Sequence, residues 1–304
     1  MRGLSGLSRL IAATRLPALS MRAKDVVVAS ERPLQVLPSA TTLKCATTMH
    51  RFNVRSLLVQ RRGPDGELLG IITDRDVLRR AQESAPEFIV ESRAEDLMSS
   101  DFIVGSERWP LEQCIRHMTE ANQCHLPIVG MGGKVNAVLS VHDACRALAN
   151  SLLDGVRPAE PATAGDACSA AETPLICHVS RDETILGAVE RMRKYHSTST
   201  VVGDVHSGGV EGLGIFTRSD FVAALATLGG RAWKAPVSEH IAPVAQLLRV
   251  EPSCPVFEAF SRLAQSNASH VVVTEARQPR TATPEASFRV RGVISNGDAA
   301  QIYT

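Results

Sequence analysis

Apolar positions along this chain fall into short runs typical of buried strands and into helical spacings, and their order recurs four times. In the first copy the pattern predicts a short helix over 41–49, a buried strand over 56–59, a turn over 63–66, a second strand over 68–73 and a helix over 74–82. Each copy is therefore predicted to fold as helix, strand, turn, strand and helix.

The other three copies keep this order. Their predicted elements are helices over 111–121, 183–195 and 256–265, first strands over 126–129, 200–202 and 270–273, and second strands over 135–140, 213–217 and 290–295. The loop 274–289 of the fourth copy is longer, and we expect it to be exposed. A unit of about 60 residues buries only a modest core, so we expect the units to pair. Residues 151–173 are rich in Pro, Gly and Ala without a clear period, which favours a linker between two pairs.

All four copies end in the same short phrase, in which an apolar strand runs into a hydroxyl residue with an aspartate three positions later. The pairs are Thr73/Asp76, Ser140/Asp143, Thr217/Asp220 and Ser295/Asp298, and the aspartates lie 67, 77 and 78 residues apart. Such self-similarity is typical of a chain built from copies of one unit.

Two explanations of this phrase stay open. Where a strand ends and a helix begins, backbone N–H groups favour a phosphate, and the aspartate can accept hydrogen bonds from both hydroxyls of a ribose. The same spacing is also a capping box, in which the hydroxyl and the carboxylate satisfy the first amides of the helix and bind no ligand.

The units resemble CBS domains, which pair as Bateman modules. The resemblance rests on the phrase 70–76, on the strand 126–129, on the segment 95–98 that leads into the second unit and on the equivalent segment 237–241 before the fourth. It covers about residues 25–304. It implies an α/β (α+β) fold of four repeats in two modules, with the units bounded as 25–92, 93–150, 174–232 and 233–304.

In that family the hydroxyl and the aspartate contact the phosphate and ribose of adenosine nucleotides. The resemblance therefore implies a non-catalytic regulator that binds AMP, ADP, ATP or a related adenosyl ligand between paired repeats, needs no cofactor and modulates a partner protein. Arg75, His142 and Arg218 stand beside the phrase as phosphate partners. We rank unit one first and unit three second, because each has a glycine and a nearby arginine. Unit two has Ala137 instead, which is expected to place a methyl group where backbone approaches the ligand.

Other functions remain as alternatives. Gamma-type regulatory subunits of energy-sensing protein kinases also have four such units, but they resemble one another in a His-Arg pair before certain first strands. The matching places, taken as 52–53, 121–122, 194–195 and 266–267, lack that pair. A structural scaffold with vestigial sites is the second alternative. An enzyme is not expected, because the sequence shows no phosphate loop, nucleophile elbow or zinc-protease motif.

Charge and cysteine content bear on the cellular location, the binding partners and the redox state of the cysteines. Residues 1–24 hold five basic and no acidic residues among serines and leucines, which predicts a mitochondrial transit peptide, with a disordered cytosolic tail as the alternative. The remaining 28 basic and 32 acidic residues give no broad footprint for nucleic acid, and the longest apolar stretch near the N-terminus is too short to span a membrane. Seven cysteines without a C-x-x-C pair predict reduced thiols. Four units in one chain fit a monomer that completes its own disc, or a homodimer.

Overall fold

The structure is a computed structural model that describes residues 21–27, 33–62, 66–152, 163–169, 176–206, 209–242, 246–266, 268–275 and 288–295. Within these residues both helices and strands occur in each half of the chain. The fold is of the predicted α/β (α+β) class.

The first half holds units one and two, which together form the first module. Its elements are α1 (Ala23–Val26), β1 (Gln35–Val36), α2 (Thr42–Phe52), β2 (Ser56–Gln60), β3 (Leu68–Thr73), α3 (Asp74–Glu83), α4 (Pro86–Ile89), α5 (Ala94–Leu97), β4 (Gly105–Ser106), α6 (Leu111–Glu120), β5 (His125–Val129), β6 (Val135–Ser140) and α7 (Val141–Leu152).

The second half holds units three and four, the second module. Its elements are α8 (Ala164–Ser169), β7 (His178–Val179), α9 (Ile185–Lys194), β8 (Ser199–His206), β9 (Gly209–Thr217), α10 (Arg218–Leu228), two 3₁₀ helices (Gly229–Lys234 and Val237–His240), β10 (Arg249–Val250), α11 (Val256–Gln265), β11 (His270–Glu275) and β12 (Phe288–Ser295).

The predicted order of helix, strand, strand and helix is confirmed in units one to three, and its first three elements are confirmed in unit four. Each unit also has a two-residue strand that precedes its first helix and runs parallel to its first long strand, as β1 does beside β2. Two residues are too few to show a hydrophobic period, so sequence reasoning missed these strands. Residues 63–65 of the predicted turn and most of the loop over 274–289 lie outside the described residues.

Each lead-in helix packs on the other unit of its own pair. Helix α1 packs on α6 and α7 of unit two, and the Ala23 amide donates to the Trp109 carbonyl at 2.9 Å. Helix α5, which leads into unit two, packs on unit one, where the Ala94 amide donates to the Ala40 carbonyl at 2.7 Å. This exchange ties the two units of a pair together through backbone hydrogen bonds.

The predicted linker 151–173 contains part of this exchange. Residues 164–169 form α8, which packs on α11 and β12 of unit four. The Ala164 amide donates to the Cys254 carbonyl at 2.8 Å. A six-residue helix is too short to reveal itself through hydrophobic spacing, and its burial comes from the unit on which it packs.

The two modules organise their strands differently. The first module has two separate three-stranded sheets, in the orders β1-β2-β3 and β4-β5-β6. In the second module one six-stranded sheet runs β10-β11-β12-β9-β8-β7. Strands β9 and β12 have nine and eight residues, against six for β3 and β6, and the extra length pairs Val290 with Val210 and Phe288 with Gly212.

Helices connect the two modules. Helix α10 of unit three packs on α2 and α3 of unit one, while α11 of unit four packs on α7 of unit two. One apolar core therefore spans units one and three, with Met49, Phe221 and Trp233 among its buried members. Exchanged lead-ins, the shared sheet and these helix contacts close a ring of four units within one chain.

Seven free cysteines are present, as predicted, and four of them are buried. Burial raises the pKa of the Cys45 and Cys145 thiols to about 12, which keeps them protonated and unreactive. Among the described residues no helix has both the length and the apolar character needed to cross a bilayer.

Candidate functional site

The predicted Thr/Ser and Asp pairs lie where β-strands end and helices begin. In unit one, the Asp76 carboxylate accepts from the Thr73 amide at 2.9 Å and from its hydroxyl at 2.6 Å. Asp143 accepts from Ser140 in the same way, at 3.0 and 2.5 Å. Asp220 accepts from Thr217 at 2.8 and 2.7 Å. Capping boxes are therefore formed in all three units.

Capping geometry alone does not identify a ligand site in this chain. Asp166, at the start of α8, accepts from the Thr163 amide and hydroxyl at 2.9 and 2.7 Å, although α8 is a short lead-in helix and Asp166 is exposed. The capping explanation is thus sufficient for the hydroxyl and for one carboxylate oxygen. What distinguishes the units must lie in the second oxygen and in the surroundings.

The second oxygen of the carboxylate is engaged by an arginine in the first module. Arg79 donates to Asp76 Oδ1 at 3.1 Å, and Arg146 donates to Asp143 Oδ1 at 3.0 Å. Both arginines stand three positions after their aspartate, one turn along the helix. The equivalent position in unit three is Ala223, which has no donor to offer.

The environment of Asp220 differs accordingly. Burial raises the pKa of the Asp220 carboxyl above its ordinary value, and the Thr217 hydrogen bonds and the nearby Arg55 and His240 oppose this shift only in part. A carboxylate whose pKa is raised by burial is costly to keep ionised, and hydroxyl donors from a ligand would lower that cost. Among the three described phrases, unit three thus differs in having no arginine one turn after its aspartate and in the raised pKa of that aspartate.

The glycines near the ends of β3 and β9, Gly70 and Gly214, have a structural role. A Cβ on Gly70 would lie 2.8 Å from the Ser99 carbonyl, and one on Gly214 would lie 2.9 Å from the Ala242 carbonyl. Both carbonyls belong to lead-in segments that cross the strand. The expectation that Ala137 crowds a ligand is therefore wrong in its reason, because the glycines accommodate protein backbone.

The three predicted phosphate partners occupy different places. Arg75 of unit one donates to the Cys124 sulfur of unit two at 3.0 Å. His142 is partly buried in the first turn of α7. Arg218 lies 3.9 Å from Asp74, the residue at its own equivalent position in unit one. Arg75 thus contacts the partner unit within its module, whereas Arg218 contacts the other module.

Three charged residues, Arg55, Asp74 and Arg218, act on both His125 and His270, and we call these five residues from the four units the central junction. Asp143 also acts on His125. Burial lowers the pKa of His125 to about 4 and that of His270 to about 3, and Arg218 and Arg55 add to both shifts while Asp74 opposes them. Both imidazoles are therefore neutral at neutral pH, and each has a buried nitrogen without a hydrogen-bond partner.

Sequence reasoning missed Arg55, although its position carries a signal. The first long strands begin at Ser56, His125, Ser199 and His270. The residues directly before them are 54–55, 123–124, 197–198 and 268–269, so the places compared for the His-Arg pair lie two residues too early in units one, two and four and three residues too early in unit three. The corrected places also lack a His-Arg pair, but Arg55 occupies one of them.

In unit four the structure describes one member of the pair. Ser295 ends β12 opposite His270, which begins β11. Asp298 lies outside the described residues. No group of three or more His, Cys, Asp or Glu side chains placed to hold a metal ion is found in the part of the chain that is described.

Comparison with known proteins places these observations in a family. The family model of the CBS domain matches residues 23–83 and 94–150. Residues 23–150 therefore contain two CBS domains. A curated relative, an uncharacterized 17.7 kDa protein from Acidianus ambivalens, is 28% identical over 128 residues, which is 42% of this chain and 74% of the relative.

Solved structures extend the CBS fold to the second half. A Methanocaldococcus jannaschii protein, described as a candidate archaeal homologue of g-AMPK, superposes with a TM-score of 0.68 at 16% identity, covering 93% of this chain and 100% of that chain. An uncharacterized conserved protein from Pyrococcus horikoshii gives a TM-score of 0.51 at 17% identity, with the same coverage. At such identities the likeness concerns the fold alone.

Proposed function

We propose that this CBS-domain protein is a non-catalytic regulator that binds an adenosine nucleotide or related adenosyl ligand, and that its principal site is built on Thr217 and Asp220 of unit three. The observation that carries this choice is the Asp220 carboxylate. It is partly buried, its pKa is raised, and Ala223 stands where Arg79 and Arg146 engage the first module's carboxylates.

The parts of the ligand follow from the chemistry around Asp220. Asp220 Oδ1, which Thr217 does not engage, accepts the hydroxyls of the ribose. The 5′ group faces the N-terminus of α10, where backbone amides and Arg218 favour a phosphate. Arg55 of unit one, which also influences Asp220, supplies a second positive charge from the other module.

Magnitudes show that ribose contacts cannot supply the affinity alone. A hydrogen bond to a charged group contributes about 1.5–3 kcal/mol, whereas micromolar binding requires roughly 8 kcal/mol. The adenine contacts and the phosphate contacts must supply the remainder. The proposal therefore expects affinity to depend on both the base and the 5′ group.

Calorimetric titration of the full chain with adenosine, AMP, ADP, ATP and S-adenosylmethionine tests the proposal. Asp220→Asn is compared with Asp166→Asn, because Asp166 makes the same capping hydrogen bonds on a helix outside the phrase. We expect at least one compound to bind the wild type, Asp220→Asn to weaken it tenfold or more, and Asp166→Asn to leave it within twofold. Equal losses in both variants would assign Asp220 to helix capping alone.

Two alternative functions predict different experimental outcomes. The scaffold alternative is favoured by the tied carboxylates Asp76 and Asp143, and it predicts that no adenosine compound binds or raises the melting temperature. The gamma-type alternative has in its favour the superposition over 93% of the chain, which concerns the fold. It predicts capture of kinase subunits by the full chain and their release by nucleotide.

We further propose import into mitochondria, on the basis of the acid-free, Arg-rich residues 1–24. Fusion of residues 1–30 to a fluorescent reporter tests this directly. Mitochondrial fluorescence is expected for the native segment. It should be lost when its arginines are replaced by glutamate.

A further inference from the structure

The two residues enclosed by the unit-three phrase both contact one carboxylate of the first module. Arg218 Nε lies 3.9 Å from Asp74 Oδ1, and the Ser219 hydroxyl donates to Asp74 Oδ2 at 3.4 Å. The side chains of Asp74 and Arg218 are 5% and 19% exposed, so water screens this pair poorly. Asp74 and Arg218 each follow the hydroxyl residue directly and begin α3 and α10.

The charges around this pair are few and of known sign. Arg55 and Arg218 are positive, and His125 and His270 are neutral because burial lowers their pKa values to about 4 and 3. Asp74 is negative, Arg55 also acts on Asp220, and Asp143 is paired with Arg146. The two arginines therefore already face two carboxylates, Asp74 and Asp220, and leave no surplus positive charge for the several negative charges of a triphosphate.

We propose that Asp74 is a specificity-determining residue that limits the negative charge of the ligand bound in unit three, so that adenosine compounds with an uncharged or monophosphate 5′ group are preferred over the triphosphate. The inference rests on the proposed function of Thr217 and Asp220. A phosphate that approaches Arg218 meets the Asp74 carboxylate on the same guanidinium. Repulsion between the two anions grows with each phosphate added, and it is strong because the pair is buried.

The contact also explains why this choice belongs to unit three. Unit one has Asp74 directly after its hydroxyl residue, unit two has Val141 and unit three has Arg218. Opposite charges thus occupy equivalent positions of units one and three, which are packed on each other through α10 and α3. The carboxylate that limits the ligand comes from a different module than the site it acts on.

The test measures dissociation constants of the full chain for adenosine, AMP and ATP in the wild type, Asp74→Asn and Asp204→Asn. Asp204 is the matched control, because it is an exposed carboxylate of the same chain paired with Arg181 at 3.3 Å, away from the phrase. In Asp74→Asn we expect ATP affinity to rise tenfold or more, AMP affinity about threefold and adenosine affinity not at all. Asp204→Asn should change the ratio of ATP to AMP affinity less than twofold.

The outcomes separate this inference from the function on which it rests. If no adenosine compound binds the wild type, the proposed function fails. If compounds bind and Asp220→Asn weakens them, but Asp74→Asn leaves the ratio of ATP to AMP affinity unchanged, the inference about Asp74 is wrong and the function stands. Should Asp74→Asn not fold, the wild type still decides, because tighter binding of ATP than of AMP would overturn the inference.

Discussion

The two modules repeat one fold, yet they differ in how their units are joined and in how their carboxylates are used. In the first module two separate sheets meet through exchanged lead-ins and side chains such as Arg75 on Cys124. In the second module β9 and β12 pair directly and merge the sheets. The module with the continuous sheet also holds Asp220. Of the three described aspartates of the repeated phrase, it is the one that no arginine follows one turn later.

The capping box is thus common to both modules, whereas the surroundings of the second carboxylate oxygen differ between them. Backbone pairing between units three and four fixes their relative position through hydrogen bonds, which side-chain contacts do less rigidly. A site that must hold a base, a ribose and a phosphate together gains from such a fixed frame. We therefore expect the second module to be the binding half and the first to supply Arg55 and Asp74.

Breaking the shared sheet should produce the largest change. Val290 lies in β12 between β11 and β9 and is buried, so Val290→Pro removes a ladder hydrogen bond in a central strand. We expect a loss of about 3 kcal/mol or more in the free energy of unfolding, measured by urea denaturation. Asn136→Pro in β6, an edge strand of the first module, should cost at least 2 kcal/mol less.

The central junction predicts a loss of stability in acid. The pKa of His270 is lowered from 6.5 to about 3, so its neutral form stabilises the native state above pH 6.5 and this contribution is lost as the pH falls towards 3. We expect on the order of 2 kcal/mol to be lost by pH 5. His270→Asn should flatten this part of the pH profile, and an unchanged slope in that variant would refute the account.

In both modules a lead-in segment crosses a strand at a glycine. Adding a side chain at either glycine should destabilise the protein by a similar amount. Gly70→Ala and Gly214→Ala each place a Cβ within 3 Å of a lead-in carbonyl, so each should lower stability by about 1–3 kcal/mol. Thermal unfolding measures the two effects side by side. A neutral result for either variant would mean that the lead-in can shift without cost.

The arginine that follows the aspartate by one turn can be removed from the first module and added to the second with little effect on stability. Arg79→Ala removes a pair in which the arginine is 54% exposed, so stability should change by less than about 1 kcal/mol. Ala223→Arg introduces the equivalent arginine one turn after Asp220. We expect it to weaken adenosine-ligand binding at least fivefold in calorimetry, with stability changed by less than about 1 kcal/mol. Unweakened binding in Ala223→Arg would remove the distinction between the modules.

Much of the fold was predictable because each unit carries its own periodic signal. The helices and long strands of the four units follow from hydrophobic spacing, and the CBS resemblance follows from their order. Elements of two to six residues, such as β1 and α8, were missed because they are too short to show a hydrophobic period. The pairing of β9 with β12 could not be predicted either, because the sequence of neither strand indicates which strand it pairs with.

The candidate site was predictable only as a set of phrases. Thr73, Ser140 and Thr217 and their aspartates are where the sequence placed them, but the ranking of unit one first relied on a glycine that faces protein backbone. Asp74 gave no periodic or motif signal, and the position of Arg55 directly before β2 was not recognised. Their importance comes from contacts between modules, which are separated by more than a hundred residues along the chain.

The most direct measurement compares Asp220→Asn with Asp76→Asn, which remove equivalent carboxylates from the second and first modules. In calorimetric titration of the full chain with AMP, the account predicts at least a tenfold loss of affinity for Asp220→Asn and less than a twofold change for Asp76→Asn. A tenfold loss in Asp76→Asn with Asp220→Asn unaffected would contradict it.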